Sequence, residues 1–298
     1  MGLSCVFDRV TIRGFTNVAG CIEKRNANRT ETSDNQREVF DNMMKKGVRF
    51  SIARHSQWAP GLESDEQWQK WGEEPFLIDP SSDSTPAVVA MPAMLRRRAR
   101  FLGRMALEVA YDCLGDLRDV PTIFCSRHGE VDQSVELIQK LIAEGDVSPI
   151  GFSSAVHNAT AGLFSIARKE HSNHIALAAG ANSVEHAAIE ACGLLNDGAQ
   201  AVLLVNYEQP LPEMFQHFQD CVEQPYAWAW LLVPATDDYI ELKWQASDTG
   251  DASGYQGVAP MSVAAGLELL RFYIAKLPSI DRNVNGLQWN WSRHHASK

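Results

Sequence analysis

Two stretches of the chain carry residue types that could do chemistry. FCSRHGEVD places Cys125 three residues before His128 and His128 four before Asp132. A thiol beside an imidazole is the minimum set for nucleophilic acyl transfer, and HGEVD also fits the HxxxD pattern of some CoA-dependent acyltransferases. Residues three apart on an extended segment point to opposite faces, however, which weakens the Cys125–His128 pair. The second stretch, HIALAAGANSVEHA, runs an apolar strand through a tight turn into a helix. That arrangement lifts a nucleophile to a helix N-terminus, where free amides and the helix dipole depress a thiol pKa. Here the turn holds Ala179, Gly180 and Ala181, so the pedestal carries no nucleophile.

The rest of the sequence narrows the classes further. No P-loop, GxGxxG or metal-ligand cluster is present, so neither a cofactor nor a metal is expected. A formal charge of −10 argues against nucleic-acid binding. The one dense basic cluster comprises Arg96, Arg97, Arg98, Arg100 and Arg104; a solvated helix face is its ordinary reading, and attraction of an acidic protein partner the sharper one. Six cysteines without paired spacing suggest reduced thiols. With no apolar run long enough to span a bilayer and no signal-like N-terminus, a cytoplasmic protein is expected.

The elements that must position these residues alternate as strands and helices, which predicts an α/β fold. Residues 1–42 are polar and without apolar period, and read as a loosely attached extension; Met43 or Met44 is an alternative start. Residues 43–246 carry the regular pattern and 247–298 a further helix and strand. RFSIARHSQWAP predicts the first strand. PAMLRRRARFLGRMALEVAYDCLGD predicts one helix, with Leu102, Ala106, Val109 and Cys113 at helical spacing. VPTIFCS predicts a buried strand and EVDQSVELIQKLIAEGD a helix. SAVHNATAGLFSIARKE predicts another, rich in small residues. Asn182 and Glu185 suggest a capping box opening the helix after the empty turn. AQAVLLVNYE predicts a parallel strand, and YAWAWLLVPATDDYIELKWQAS two adjacent antiparallel strands. The tryptophans of SQWAPGLESDEQWQKW read as packing anchors.

Taken in order, these segments resemble the N-terminal half of a β-ketoacyl synthase, over residues 48–246. RRRARFLGRMALEVAYDCL is similar to that family's early helix and VPTIFCSRHGE to its second strand. SPIGFSSAVHNATAGLFSIARKE resembles the segment that lies against the partner subunit. ALAAGANSVEHAAIEACGLLNDGAQAVLLVNYEQ resembles the active-site strand, nucleophile helix and next strand, and AWAWLLVP the closing antiparallel strand. The resemblance implies a thiolase-like half-fold: a mixed, mostly parallel five-stranded sheet with helices on both faces, followed by a short C-terminal extension.

Two departures from the family decide the functional expectation. Gly180 occupies the position of the nucleophilic Cys, and glycine cannot form a thioester. Downstream, His217, His294 and His295 sit in none of the family's histidine motifs. The chain is especially similar to the short chain-length factors of aryl-polyene and related pigment pathways, in FSI…WAPGL, MLRRR…LGRMALEVAY, SRHGE, FSSAVHNATAG and LAAG. That resemblance implies a non-catalytic subunit paired with a full-length ketosynthase, the two active-site strands meeting edge to edge. Phe152, His157, Asn158, Ala159, Gly162, Phe164, Ala178, Ala179 and Gly180 would then line the interface or the acyl tunnel, and the arginine cluster would dock an acyl carrier protein. The competing readings are a small acyltransferase using Cys125 or His128, and a stand-alone binding protein.

Overall fold

A computed structural model describes residues 47–80, 82–247 and 263–295. The proposed polar extension and alternative start at Met43 or Met44 lie outside the described residues. Among the described residues eight strands form one mixed sheet: β1 (Val48–Trp58), β2 (Thr122–Cys125), β3 (His174–Leu177), β4 (Val202–Glu208), β5 (Tyr226–Pro234), β6 (Tyr239–Ala246), β7 (Ser279–Val284) and β8 (Leu287–His294), in the order β3-β2-β4-β5-β1-β6-β8-β7. Only the β2–β3 and β2–β4 pairings are parallel; the other five are antiparallel. The expected mostly parallel five-stranded sheet is therefore corrected to an eight-stranded, mostly antiparallel one. Of the described residues after 246, two strands continue the sheet, with β8 paired to β6 from Leu287↔Ala246 to His294↔Tyr239.

The predicted adjacency of β5 and β6 also fails. Phe50 of β1 pairs with both Pro234 and Ile240, so β1 lies between them and the chain crosses from one side of β1 to the other without reversing. The TDD segment is thus a crossing rather than a hairpin turn. A genuine hairpin follows later, at Asn285-Gly286, where both residues have positive φ (50° and 73°) as a two-residue type I′ turn requires.

The continuous apolar runs of β4 and β5 are buried on both faces because each face meets a separate core. Val202, Leu204, Trp228, Trp230 and Leu232 face one core, while Leu203, Val205, Tyr207, Ala227, Ala229 and Leu231 face the other. The alternation gives β5 a tryptophan side and an alanine side. On the tryptophan side lie α1 (Asp65–Glu73), α7 (Ser183–Asn196) and α8 (Ala265–Ile274); on the alanine side lie α3 (Phe101–Leu114) and α6 (Ala159–Arg168). Small alanines let α3 approach the sheet closely, and its Leu102, Met105, Ala106, Val109 and Cys113 are buried there. Helix α1 opens with a capping box between Ser64 and Gln67, and its Trp68 and Trp71 pack edge to face in the core.

Two predicted helices are each broken in two. The arginine-rich one divides into α2 (Ala93–Arg96) and α3 at Arg100, whose backbone is extended. Arginine side chains bond the carbonyls around the break: Arg96 donates to the Ala87 and Val88 oxygens and Arg104 to that of Ala99. The small-residue helix divides into α5 (Pro149–Ala155) and α6 at an extended Val156. There the His157 ring seats on Gly129 and its Nε2 bonds the Ser126 carbonyl at 2.8 Å, which draws the chain out of the helical path. The remaining helix, α4 (Val131–Glu144), is as expected.

Candidate functional site: an empty strand-to-helix turn and an adjoining groove

The turn after β3 is tight and leads directly into a helix. Gly180 has φ +57°, and an added Cβ there would meet no atom within 4 Å. Ser183 locks the turn from within: its hydroxyl accepts from the Ala179 amide (2.9 Å) and donates to the Gly180 carbonyl (2.7 Å). Ala178 and Gly180 are exposed, and Ala179 is half-buried. The turn thus has room for a side chain at position 180 and carries none.

The helix that leaves this turn is held by the C-terminal hairpin, which the sequence reading assigned no role. The expected capping box does not form. Asn182 Oδ1 instead accepts from Trp289 Nε1 at 3.1 Å, and Glu185 is fully buried in an ion pair with Arg282. Arg282 also bonds Glu268 at 2.9 Å. His186 stacks edge to face on Trp289. Local spacing suggested a cap, but two long-range partners took both side chains. The Asn-Gly turn between β7 and β8 was the available signal for this hairpin.

β3 forms one edge of the sheet, and its residues are half-buried or exposed where those of β2 and β4 are buried. Thr122 and Ser126 donate to the Asn173 and Leu177 carbonyls at 2.9 and 3.2 Å. In a parallel ladder the bonding direction alternates along the strand, so the backbone groups of His174 and Ala176 face the open edge.

At the C-terminal ends of β2 and β4 the buried Glu208 accepts from the Arg127 amide (2.7 Å) and the Ser126 hydroxyl (3.3 Å). Burial outweighs these bonds and raises its carboxyl to about 7. Cys125 is fully buried, and that burial lifts its thiol well above the ordinary range. A thiol with neither access nor ionisation is no nucleophile. His128 lies 3.5 Å from Glu223, and Asp132 accepts from Gln209. The proposed Cys125 chemistry has no reachable sulfur. The other buried thiols, Cys113, Cys192 and Cys221, are likewise raised by burial, to about 12, 12 and 11.

Phe152, Asn158, Ala159 and Gly162 come together on the wall of a groove of about 490 Å³, with Leu163 and Ile166 supplying further apolar surface. His157 and Phe164 do not line it. His157 ties α6 to the end of β2, and Phe164 packs in the core between Tyr111 and Phe124. A second cavity of about 550 Å³ adjoins it, lined by Arg100, Arg104, Asp132 and Glu136 together with Phe101, Leu102 and Val135. Glu130 and Ala99 belong to both walls.

The arginine cluster is divided in use. Arg96 and Arg104 bond backbone carbonyls, and Arg100 forms a bidentate pair with Glu136 at 2.6 Å. Arg97 and Arg98 are exposed and make no side-chain hydrogen bond or ion pair among the described residues. No group of three or more His, Cys, Asp or Glu among the described residues is placed to hold a metal. No helix there is long and apolar enough to cross a membrane.

Several solved structures share this architecture. The ketosynthase (ApeO) in complex with its chain length factor (ApeC) from Xenorhabdus doucetiae matches with a TM-score of 0.71 and 26% identity, over 83% of this chain and 100% of the matched one. The ishigamide ketosynthase/chain length factor matches at 0.62 and 11% identity, over 84% and 100%. AntDE:AntF, a type II PKS acyl-carrier protein in complex with its ketosynthase bound to the hexaketide, matches at 0.55 and 11%, over 67% and 70%. No curated protein matches the chain. The ordered strands, the turn and the helix that leaves it carry a family signature spanning residues 68–292, and on that match the chain belongs to the beta-ketoacyl synthase, N-terminal domain, family.

Proposed function

We propose that the chain is a non-catalytic ketosynthase-like subunit, a chain-length factor, that pairs with an active ketosynthase and shapes the tunnel for the growing acyl or polyene chain. The observation that carries this reading is Gly180. The turn places Gly180 at φ +57° with open space where a side chain would stand, yet glycine has no atom that can bear an acyl group. Removing a catalytic nucleophile costs on the order of 10⁶ in rate in well-studied enzymes, so condensation needs a thiol from another chain.

Two further features support pairing. The open edge of β3 beside the turn offers backbone groups to a second strand, and unpaired edges are a liability until covered. Nearby, Ile150, Phe152 and Ile166 are 64%, 62% and 60% exposed, more apolar surface than a solitary subunit usually leaves in water. The likeness to the ApeO–ApeC complex agrees with this assignment. Within the arginine cluster, Arg97 and Arg98, without a side-chain partner among the described residues, are the ones that would steer an acidic carrier protein to the pair.

Co-expression with candidate ketosynthases tests the reading. A stable complex is expected, with no acyl loading of the chain alone. Ala176→Pro removes an edge-facing amide without touching the β2 ladder, and it should abolish co-purification while the isolated subunit stays folded. Acyl loading or turnover by the isolated chain would overturn the proposal.

A further inference from the structure

The apolar groove and the mixed cavity beside it share two wall residues, Glu130 and Ala99. Glu130, on the segment between β2 and α4, is 7% exposed and lines both. Its carboxylate lies across α3 at Gly103: a Cβ there would stand 3.0 Å from Glu130 Oε1, 3.1 Å from Thr160 Oγ1 and 3.8 Å from the Ala99 Cβ. Glycine at 103 is thus the gap through which the Glu130 side chain reaches. The Gly103 amide donates to this carboxylate, satisfying one of the free donors in the first turn of α3, whose own cap residue Arg100 provides no side-chain bond.

The lining changes in degree across this point. The groove is mainly apolar, with Phe152, Val156, Leu163 and Ile166 beside a few polar groups such as Gln133 and Ser154; the second cavity is mixed, with Arg100, Arg104, Asp132 and Glu136 beside Phe101 and Leu102. An acyl chain gains roughly 0.8 kcal/mol for each methylene moved into apolar surroundings. It gains far less where it must displace water from charged groups. Burial raises the Glu130 carboxyl to about 7, so at neutral pH its protonated form is available, which suits a partition facing an apolar groove.

We propose that Glu130, wedged over Gly103 against Ala99 and Thr160, is the septum that closes the apolar groove and so determines how much acyl chain this subunit accommodates. The inference rests on the chain-length reading above and deepens it by assigning the specificity-determining residue. Size at positions 130 and 99 sets the limit, because those two side chains alone line both cavities.

The test uses the complex of this chain with the ketosynthase it co-purifies with, and reads the lengths of carrier-bound products by mass spectrometry alongside total turnover. Glu130→Ala and Glu130→Ser open the partition and should lengthen the dominant product by at least one two-carbon unit. Ala99→Val thickens it and should shorten the product. Glu130→Gln preserves the volume and should leave the length unchanged. A merely structural role for Glu130 would lower turnover without moving the length distribution. Unchanged lengths in both opened variants, in a complex that still elongates, overturn the septum while leaving the subunit reading intact. Failure of the unaltered chain to form an elongating complex with any ketosynthase overturns the subunit reading, and the septum with it.

Discussion

Returning a thiol to the empty turn is the most direct probe of its geometry. Gly180→Cys places an L-residue at φ +57°, which costs about 1–2 kcal/mol of backbone strain. Steric cost is small, since the new Cβ meets nothing within 4 Å. At about 2–4 °C per kcal/mol for a unit of this size, Tm should fall by roughly 2–8 °C. The new thiol would sit exposed at the start of the segment leading into α7, where free amides favour the thiolate. Cys221, by contrast, is raised to about 11. Against an ordinary thiol near 8.5, that difference alone gives about a 300-fold advantage in thiolate fraction. Peptide-resolved iodoacetamide labelling at pH 7.5 should modify position 180 at least that much faster than Cys113, Cys125, Cys192 or Cys221. Labelling no faster than at Cys221, or a stability loss beyond about 3 kcal/mol, would show that the turn is not a preserved nucleophile seat.

The remaining predictions concern the buried charges. Glu130 and Glu208 are each raised from 4.5 to about 7. The native state therefore binds more protons than the unfolded chain between those values, and stability falls as pH rises from about 4.5 to 7, by roughly 3 kcal/mol per group. Urea midpoints should be lower at pH 8 than at pH 5.5, and Glu208→Gln should flatten the slope; a midpoint rising over that range would refute the assignment. Arg282→Met strips the counter-charge from the fully buried Glu185, whose carboxyl burial already raises. It should cost about 3–5 kcal/mol, more at pH 8 than at pH 5, because protonation relieves the stranded charge. Adding Glu185→Leu should recover most of that loss, and a double variant as unstable as the single one would contradict the account.

Much of the fold was legible from local chemistry. The apolar runs at 122–125, 202–208 and 226–234 could satisfy their burial only inside a sheet covered on both faces. The 3.6-residue spacing of Leu102, Ala106, Val109 and Cys113 could serve only a helix with one buried side. What those patterns could not show was which strand lies beside which. β1 separates β5 from β6, although only a few residues join those two in the chain, because pairing across a sheet is a long-range choice among equally apolar edges. The hairpin at Asn285-Gly286 is encoded locally, in the two residues of its turn.

The site divides the same way. Gly180 is a fact of the sequence: no folding can supply an atom that the residue lacks, so the absence of a nucleophilic side chain at this turn follows from residue type alone. Asn182 and Glu185 looked like a local cap, but tertiary packing gave them to Trp289 and Arg282, about a hundred residues away. Glu130 carried no sequence signal at all. Its position between two cavities depends on a glycine in α3 and a threonine in α6 converging on one carboxylate. Local spacing encodes periodicity and backbone permissiveness. Only the folded chain decides which distant side chains share a wall, because that convergence is set by how the helices cross the sheet.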